Sequence, residues 1–246
     1  APELVVSLRS AFTGQPEIAL GNVLGSNVFN VLVILGLSAL IVPLRVDQQL
    51  VRLDVPLMIA VSIAVYLMSL DGGIGRIDGA VLTSGLLAYT TWSIRKSRQE
   101  NNPAVLAEYA EEFSPAPAQG LGLALQLGLV VAGLGMLVLG SGLFVDSAVA
   151  LARGWGMSEL VIGLTLVAAG TSLPEVATSL VAAFKGERDI AVGNVVGSNL
   201  FNLMCVLGIT GLTAPTGIPV DAEAIHQDIP VMVLVALACL PVFLIG

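Results

Sequence analysis

Long apolar segments follow one another through most of the chain, and this pattern restricts the fold more than any other feature. A helix needs about 20 apolar residues to cross the hydrocarbon of a bilayer. Charged residues make up only 11% of the chain, whereas a typical soluble domain has about 25%. The sequence therefore predicts an all-α integral membrane protein and excludes a soluble enzyme, a disordered chain and a disulfide-stabilised secreted domain. The apolar segments are residues 1–13 (too short to cross, and interpreted as part of a longer helix), 18–42, 53–70, 77–95, 120–150, 158–184, 189–213 and 228–246.

One hydrophilic stretch, between Arg95 and Gln119, interrupts the apolar segments. It predicts a first half at residues 1–95, a linker at 96–119 and a second half at 120–246. With the linker in the cytoplasm, the cytoplasmic loops hold seven Lys and Arg residues and the opposite loops hold two. This distribution follows the positive-inside rule and predicts a multi-pass protein of the inner or plasma membrane. The net charge of −8, without a basic stripe, does not indicate nucleic-acid binding.

An internal repeat relates the two halves, because residues 2–30 align with residues 174–202 without a gap. The segments are identical at 17 of 29 positions, including a Pro-Glu pair and every Gly and Asn of the pattern GNVxGSNxFN. Five predicted spans separate the copies, and because five is odd, the copies enter the membrane in opposite orientations. Many secondary transporters contain such inverted repeats and bind their substrate between them. Duplication for stability alone is the alternative interpretation.

Each copy places one glutamate inside a predicted membrane helix, Glu3 in the first and Glu175 in the second. A carboxylate at the bilayer centre costs at least about 3 kcal/mol, so intramembrane acids usually face a cavity or a partner and mark a functional pathway. The alternative is a protonated glutamate that serves only packing. The occurrence of both at matched positions favours the functional interpretation.

The helix that carries Glu175 is predicted to be irregular just before it, in the segment AAGTSLPE. Pro174 lacks an N–H group and its ring clashes with the preceding turn, which predicts freed carbonyl oxygens near Ala168 and Gly170. Thr171 lies one turn before Glu175 on the same face. These groups would form a site of oxygen ligands, whereas Pro174 alone would indicate only a kink.

The second repeated element spaces amides and hydroxyls four residues apart, so that they share one helix face. The two sets are Asn22, Ser26 and Asn30 in the first copy and Asn194, Ser198 and Asn202 in the second. A glycine pair accompanies each face, Gly21 with Gly25 and Gly193 with Gly197, and small residues at this spacing allow close helix packing. Packing would explain the glycines, but it does not require three polar residues on one face inside lipid.

These residue types predict a hard cation as the ligand. Carboxylate, hydroxyl, amide and carbonyl oxygens suit Ca²⁺, which takes about 6–8 oxygen ligands. The single histidine, His226, lies in a predicted loop, and Cys205 and Cys239 lie off the polar faces, so zinc, copper and iron are not indicated. Two ionised carboxylates repel each other, so protons also compete for the site. No prosthetic group is predicted.

With the segments GTSLPE and GNVVGSNLFN and their first-copy counterparts, the chain resembles the sodium/calcium exchanger family of the cation/calcium exchanger superfamily, in its prokaryotic form. The resemblance implies a cation antiporter fold of two inverted five-helix halves, of which this chain lacks helix 1, part of helix 2 and helix 10. Some members carry an aspartate where this chain has Asn202, so the chain has one fixed charge fewer there. The cation ligands that the resemblance implies are Glu3, Ser26, Asn30, Ala168, Thr171, Ser172, Glu175, Ser198 and Asn202.

The resemblance implies exchange of Na⁺ for Ca²⁺ by alternating access, with no enzymatic reaction. Exchange of Ca²⁺ for protons, and K⁺-dependent exchange, are alternatives that the residue types leave open. A cation channel is a more remote alternative, because glycine-packed helices do not indicate an open pore. An intramembrane hydrolase is disfavoured because the sequence offers no Ser–His arrangement. The expected partners are the cations and the lipid bilayer; the oligomeric state is not determined by the sequence, and a monomer would suffice.

Overall fold

The computed structural model describes residues 2–43, 50–99 and 123–245. Apolar segments fold as helices in lipid because a helix satisfies its own backbone hydrogen-bonding groups. Beyond Gln99, the predicted linker at 96–119 lies outside the described residues. The elements in chain order are α1 (Pro2–Phe12), α2 (Pro16–Ile41), α3 (Leu50–Ser69), β1 (Gly73–Ile74), α4 (Arg76–Gln99), α5 (Leu123–Gly154), α6 (Glu159–Thr171), α7 (Leu173–Lys185), α8 (Arg188–Thr213), β2 (Ile218–Pro219) and α9 (Ile229–Ile245).

Within the described ranges, four helices are long and apolar enough to cross a membrane. They are α2, α3, α8 and the segment Ala224–Phe243, which contains most of α9. The pair α6 and α7 forms a fifth candidate span, bent by 46° at Ser172. The predicted segment 77–95 is helical as α4, and the described part of the predicted segment 120–150, from Leu123 onward, is helical as α5. Their crossing of the membrane stays a prediction.

The two repeats fold in the same way. The proline of the Pro-Glu pair lies in a helix in both copies, Pro2 in α1 and Pro174 in the first turn of α7, a position that tolerates proline. Helices α2 and α8 both change to a π-helical turn at the last asparagine of the repeat, Asn30 and Asn202 respectively. Such π-helical turns often occur at functional sites.

A short antiparallel pair of strands departs from the predicted all-α fold. Gly73 pairs with Pro219, and Ile74 pairs with Ile218. Each strand follows a glycine with positive φ, at 94° for Gly72 and 73° for Gly217, which L-residues adopt rarely. Strands of two residues produce no alternation in the sequence, so the prediction missed them. They join the loop after α3 to the loop after α8 and so connect the two halves at one end.

The core lies between the halves, where apolar side chains of α2, α3, α8 and α9 are buried together. Met58, Leu203 and Met232 are among its fully buried members. Against this core, α2 approaches α6 without side chains between the backbones. A Cβ atom on Gly25 would lie 2.2 Å from the carbonyl oxygen of Leu164. Glycine is therefore required for this contact between the halves.

The close approach predicted for both glycine pairs occurs at the first pair. A Cβ on Gly21 would lie 2.7 Å from the carbonyl oxygen of Leu160. At the second pair, a Cβ on Gly193 would touch only Leu50 at 3.9 Å, and one on Gly197 would meet nothing within 4 Å among the described residues. The two repeats share a sequence but have different surroundings, and the open face of α8 borders a cavity.

Candidate cation site

Two glutamates from opposite halves line one cavity of about 360 Å³. Glu3 lies in the first turn of α1 and is 2% exposed, and Glu175 lies in the first turn of α7 and is half-buried. Two more residues predicted as ligands, Ser198 and Asn202, line the same cavity. The lining is completed by Gly193, Asn194, Gly197 and Phe201. The structure thus brings four of the predicted ligands together around one space.

Three further predicted ligands form a packed cluster where α2 meets α6. The hydroxyl of Ser26 lies 3.4 Å from the carbonyl oxygen of Ala168 and 3.5 Å from the Thr171 hydroxyl. Thr171 donates to Oδ1 of Asn22 at 2.9 Å. All of these side chains are buried, so the hydroxyl and amide oxygens are held in fixed positions rather than solvated.

The prediction of a freed carbonyl at Ala168 is wrong in one respect. Its oxygen still accepts the backbone N–H of Ser172 at 3.1 Å. Proline at position 174 removes the N–H that would reach Gly170 rather than the donor to Ala168, because a helical N–H bonds four residues back. The Ala168 oxygen therefore has a backbone donor as well as the nearby Ser26 hydroxyl.

The last two predicted ligands, Ser172 and Asn30, are buried and each has a polar atom without a partner. Ser172 lies at the bend between α6 and α7, and its hydroxyl has no hydrogen bond among the described residues. Asn30 is 1% exposed, and in that same part of the chain its Oδ1 also has no partner. Buried polar atoms are rarely left in this state, so each is a candidate ligand atom.

Residues that the predicted ligand set omitted attach each glutamate to the amide-bearing helix of its repeat. Asn22 donates from Nδ2 to the backbone oxygen of Glu3 at 3.2 Å and to the Ser7 hydroxyl at 2.9 Å. Asn194 makes the corresponding bonds to Glu175 at 3.2 Å and to Ser179 at 2.8 Å. Asn22 and Asn194 belong to the predicted polar faces, and asparagine occupies this position in both copies of the repeat. That repetition is the sequence signal for their shared role.

The arrangement suits a cation held by oxygen atoms. Glu175 lies in the first turn of α7, where the partial positive charge of the helix N-terminus stabilises a carboxylate without supplying a counter-ion. In the part of the chain that the structure describes, no three His, Cys, Asp or Glu side chains come together as a metal cluster. A cation in the cavity would therefore combine the carboxylates with hydroxyl, amide and carbonyl oxygens, as hard cations accept.

A helical membrane protein whose two inverted repeats bring carboxylates into one cavity has the architecture of a secondary cation transporter. The family model described as sodium/calcium exchanger protein matches residues 1–95 and 125–246. The chain belongs to the sodium/calcium exchanger family.

Relatives match nearly the whole chain. A protein named as the antiporter CaxA, from Alkalimonas amylolytica, is 40% identical over 98% of this chain and 74% of its own length. Inner membrane protein YrbG of Escherichia coli (strain K12) is 37% identical over 96% of this chain and 72% of its own length. A solved structure of the sodium-calcium exchanger NCX_Mj, soaked with Na⁺ and Sr²⁺, has a TM-score of 0.72 and 31% identity and covers 98% of this chain and 74% of that one. The sequence matches establish the family, and the structural match establishes the fold.

Proposed function

We propose that the chain exchanges Na⁺ for Ca²⁺ across the inner or plasma membrane by alternating access. The observation that carries the proposal is the cavity in which Glu3 of one half and Glu175 of the other lie together. Membership of the sodium/calcium exchanger family and the likeness to NCX_Mj support the choice of ions.

In this proposal both halves contribute oxygen ligands to the transported cations. Two carboxylates balance the charge of one Ca²⁺, or of Na⁺ ions that replace it. An empty cavity with two ionised carboxylates is costly to enclose in a low-dielectric interior. Only loaded states would therefore change orientation, and this restriction couples the two ions. The proposed ligand set is Glu3, Ser26, Asn30, Ala168, Thr171, Ser172, Glu175, Ser198 and Asn202.

The moving element in the proposal is α5, a helix of 32 residues that packs against α6 and α7. One end of α5 is attached through Arg153, whose guanidinium donates to the Glu159 carboxylate at 2.9 Å and to Oε1 of Gln15 at 2.6 Å. These exposed hydrogen bonds are each worth little. They would rearrange as α5 slides against α6 and α7.

The proposal also assigns an orientation. Residues 1–95 and 120–246 form the two inverted halves, and the linker at 96–119 lies in the cytoplasm. The excess of Lys and Arg in the loops on that side supports this orientation. The paired strands β1 and β2 would then lie on the opposite side of the membrane.

Calcium uptake by reconstituted vesicles tests the proposal. We expect vesicles loaded with Na⁺ to accumulate Ca²⁺ when Na⁺ is absent outside, and to stop when choline replaces the internal Na⁺. Uptake driven by a pH gradient without Na⁺ would contradict the proposal in favour of proton exchange. Uptake that requires K⁺, inside or outside the vesicles, would contradict exchange of Na⁺ and Ca²⁺ alone. Single-channel currents carried by the protein would instead identify a cation channel.

Replacing Thr171 by valine tests the packed cluster. The change keeps the shape of the side chain but removes the hydroxyl that donates to Asn22. We expect the Ca²⁺ concentration for half-maximal uptake to rise about tenfold, the effect of losing one oxygen interaction of ~1.4 kcal/mol. The matched control is Thr178→Val, because among the described residues that hydroxyl donates only to the carbonyl of Pro174 in its own helix, at 2.9 Å. Equal effects of the two changes would contradict a ligand role for Thr171.

A further inference from the structure

Four buried asparagines form two hydrogen-bonded pairs, and each pair joins one residue of the first repeat to one residue of the second. Asn30 donates from Nδ2 to Oδ1 of Asn199 at 2.9 Å. Asn202 donates from Nδ2 to Oδ1 of Asn27 at 3.2 Å. Asn27 and Asn199 are equivalent in the repeat, as are Asn30 and Asn202, so the two hydrogen bonds are related by the internal symmetry. All four residues are between 1% and 3% exposed.

The accepting asparagines are themselves held from the other side. Asn199 donates from Nδ2 to the backbone oxygen of Asn27 at 3.3 Å and lies 3.6 Å from the sulfur of Met58. Asn27 donates from Nδ2 towards the sulfur of Met232 at 3.6 Å. Met58 and Met232 occupy matching places, each four residues after an aspartate that begins a D-x-P segment. The Nδ2 of each accepting amide is therefore engaged, by a methionine sulfur in both copies and also by the Asn27 backbone oxygen in the case of Asn199.

These contacts determine which end of the donating amides is left for a ligand. The Nδ2 of Asn30 is engaged by Asn199, and its Oδ1 has no hydrogen-bond partner among the described residues. Reversing that amide would set two acceptor oxygens against each other, and acceptors do not bond to acceptors. Asn202, which lines the cavity, is engaged at Nδ2 in the same way. In both halves Nδ2 of the donating amide is engaged, so the carbonyl oxygen is the amide atom that remains for a ligand.

We propose that Asn199 and Asn27 are positioning residues for cation binding: each fixes the amide of the other half so that the carbonyl oxygen of Asn30, or of Asn202, faces the cation. The inference rests on the proposed function, since it assumes that Asn30 and Asn202 bind the transported ion. It adds that each half-site is set by a residue of the opposite half. Neither Asn27 nor Asn199 belongs to the predicted ligand set.

Crossed double-mutant cycles test this proposal by equilibrium Ca²⁺ binding, measured by calorimetry on the purified protein. Asn199→Leu keeps the volume of the side chain but removes the acceptor for Asn30. We expect Asn199→Leu and Asn30→Ala each to weaken binding about tenfold, as the loss of one buried hydrogen bond or ligand would. The double variant should be no weaker than Asn30→Ala alone, because Asn199 acts only through Asn30.

The second pair, Asn27 with Asn202, shows whether each positioning residue acts on its own partner alone, which a merely structural role would not produce. Asn27→Leu should be non-additive with Asn202→Ala, yet its effect should multiply with that of Asn30→Ala to about a hundredfold. If Asn199→Leu does not fold, the cycle of Asn27→Leu and Asn202→Ala tests the positioning role by itself. The control is Ser38→Ala, which removes a buried hydroxyl whose one hydrogen bond within the described ranges goes to the Ile34 carbonyl of its own helix at 2.9 Å. This change should leave the binding constant unchanged.

The outcomes separate this inference from the proposed function. Multiplicative effects within both pairs, in a protein that binds Ca²⁺ and exchanges it for Na⁺, would overturn the positioning role alone. An unaltered protein that does not exchange Ca²⁺ for Na⁺ would overturn the proposed function, whereas the cycles on Ca²⁺ binding would still report on the asparagines. Non-additivity confined to the crossed pairs would support the inference.

Discussion

Replacing Glu175 by glutamine is expected to lower Na⁺-driven Ca²⁺ uptake at least about a hundredfold, equivalent to ~3 kcal/mol. Glutamine has nearly the same shape, so the packing of α7 is retained and only the charge is lost. In a low-dielectric cavity, one carboxylate balances half of the charge of a divalent cation, and no other acid lines the space besides Glu3 among the described residues. The measurement is the initial rate of uptake in vesicles with matched amounts of protein.

Glu3→Gln should reproduce this loss, because Glu3 faces the same cavity from the other half. The matched control is Glu17→Gln, since Glu17 is exposed in the first turn of α2 and does not line the cavity. The control should keep the rate of the unaltered protein. Uptake that persists in Glu175→Gln, or that falls equally in Glu17→Gln, would remove the two glutamates from the proposed ligand set.

Gly25→Ala is the second change with a large expected effect, through packing rather than charge. The new Cβ would lie 2.2 Å from the Leu164 oxygen and 2.7 Å from the Cβ of Ala168. The first of these atoms belongs to the backbone and cannot rotate away, so α2 and α6 must separate. We expect a loss of stability at the upper end of the ~1–3 kcal/mol that overpacking costs. Transport should fall as well, because the separation moves Ser26 away from Ala168 and Thr171.

Thermal unfolding in detergent and the Ca²⁺ uptake assay measure the two effects of Gly25→Ala separately. Gly36→Ala is the control, because Gly36 lies in the same continuous helix and a Cβ there would meet nothing within 4 Å among the described residues. That control should leave stability unchanged or raise it slightly, since alanine favours helix over glycine. A similar midpoint for Gly25→Ala and Gly36→Ala would contradict the close packing of α2 against α6.

The sequence predicts the parts of the fold and site that depend on composition and repetition. The apolar segments locate the helices to within a few residues. The Pro-Glu pairs of the repeat identify the carboxylates that line the cavity, because a glutamate in an apolar helix requires a special environment. The glycine pairs likewise identify where helices can approach, although among the described residues only Gly21 and Gly25 of the four have the backbone of another helix close against them.

The sequence does not reveal contacts that depend on how the halves are rotated against each other. Asn27 is three residues before Asn30 and so lies near the same face, but the spacing of four that joins Asn22, Ser26 and Asn30 concealed it. Whether such an amide meets lipid, its own repeat or the opposite half is decided by tertiary packing. The prediction for Ala168 fails for a local reason. A proline removes one N–H group and so affects one carbonyl four residues back, which for Pro174 is that of Gly170 and not that of Ala168.

The crossed amide pairs also bear on how such a molecule could have arisen. The cross-half hydrogen bond from Asn30 to Asn199 has a counterpart from Asn202 to Asn27. Two separate copies of a single ancestral unit, inserted into the membrane facing opposite ways, would make the same bonds to each other as a homodimer. Gene fusion would then need to preserve only that opposed insertion, and later divergence could give the two copies different neighbours while keeping their mutual recognition.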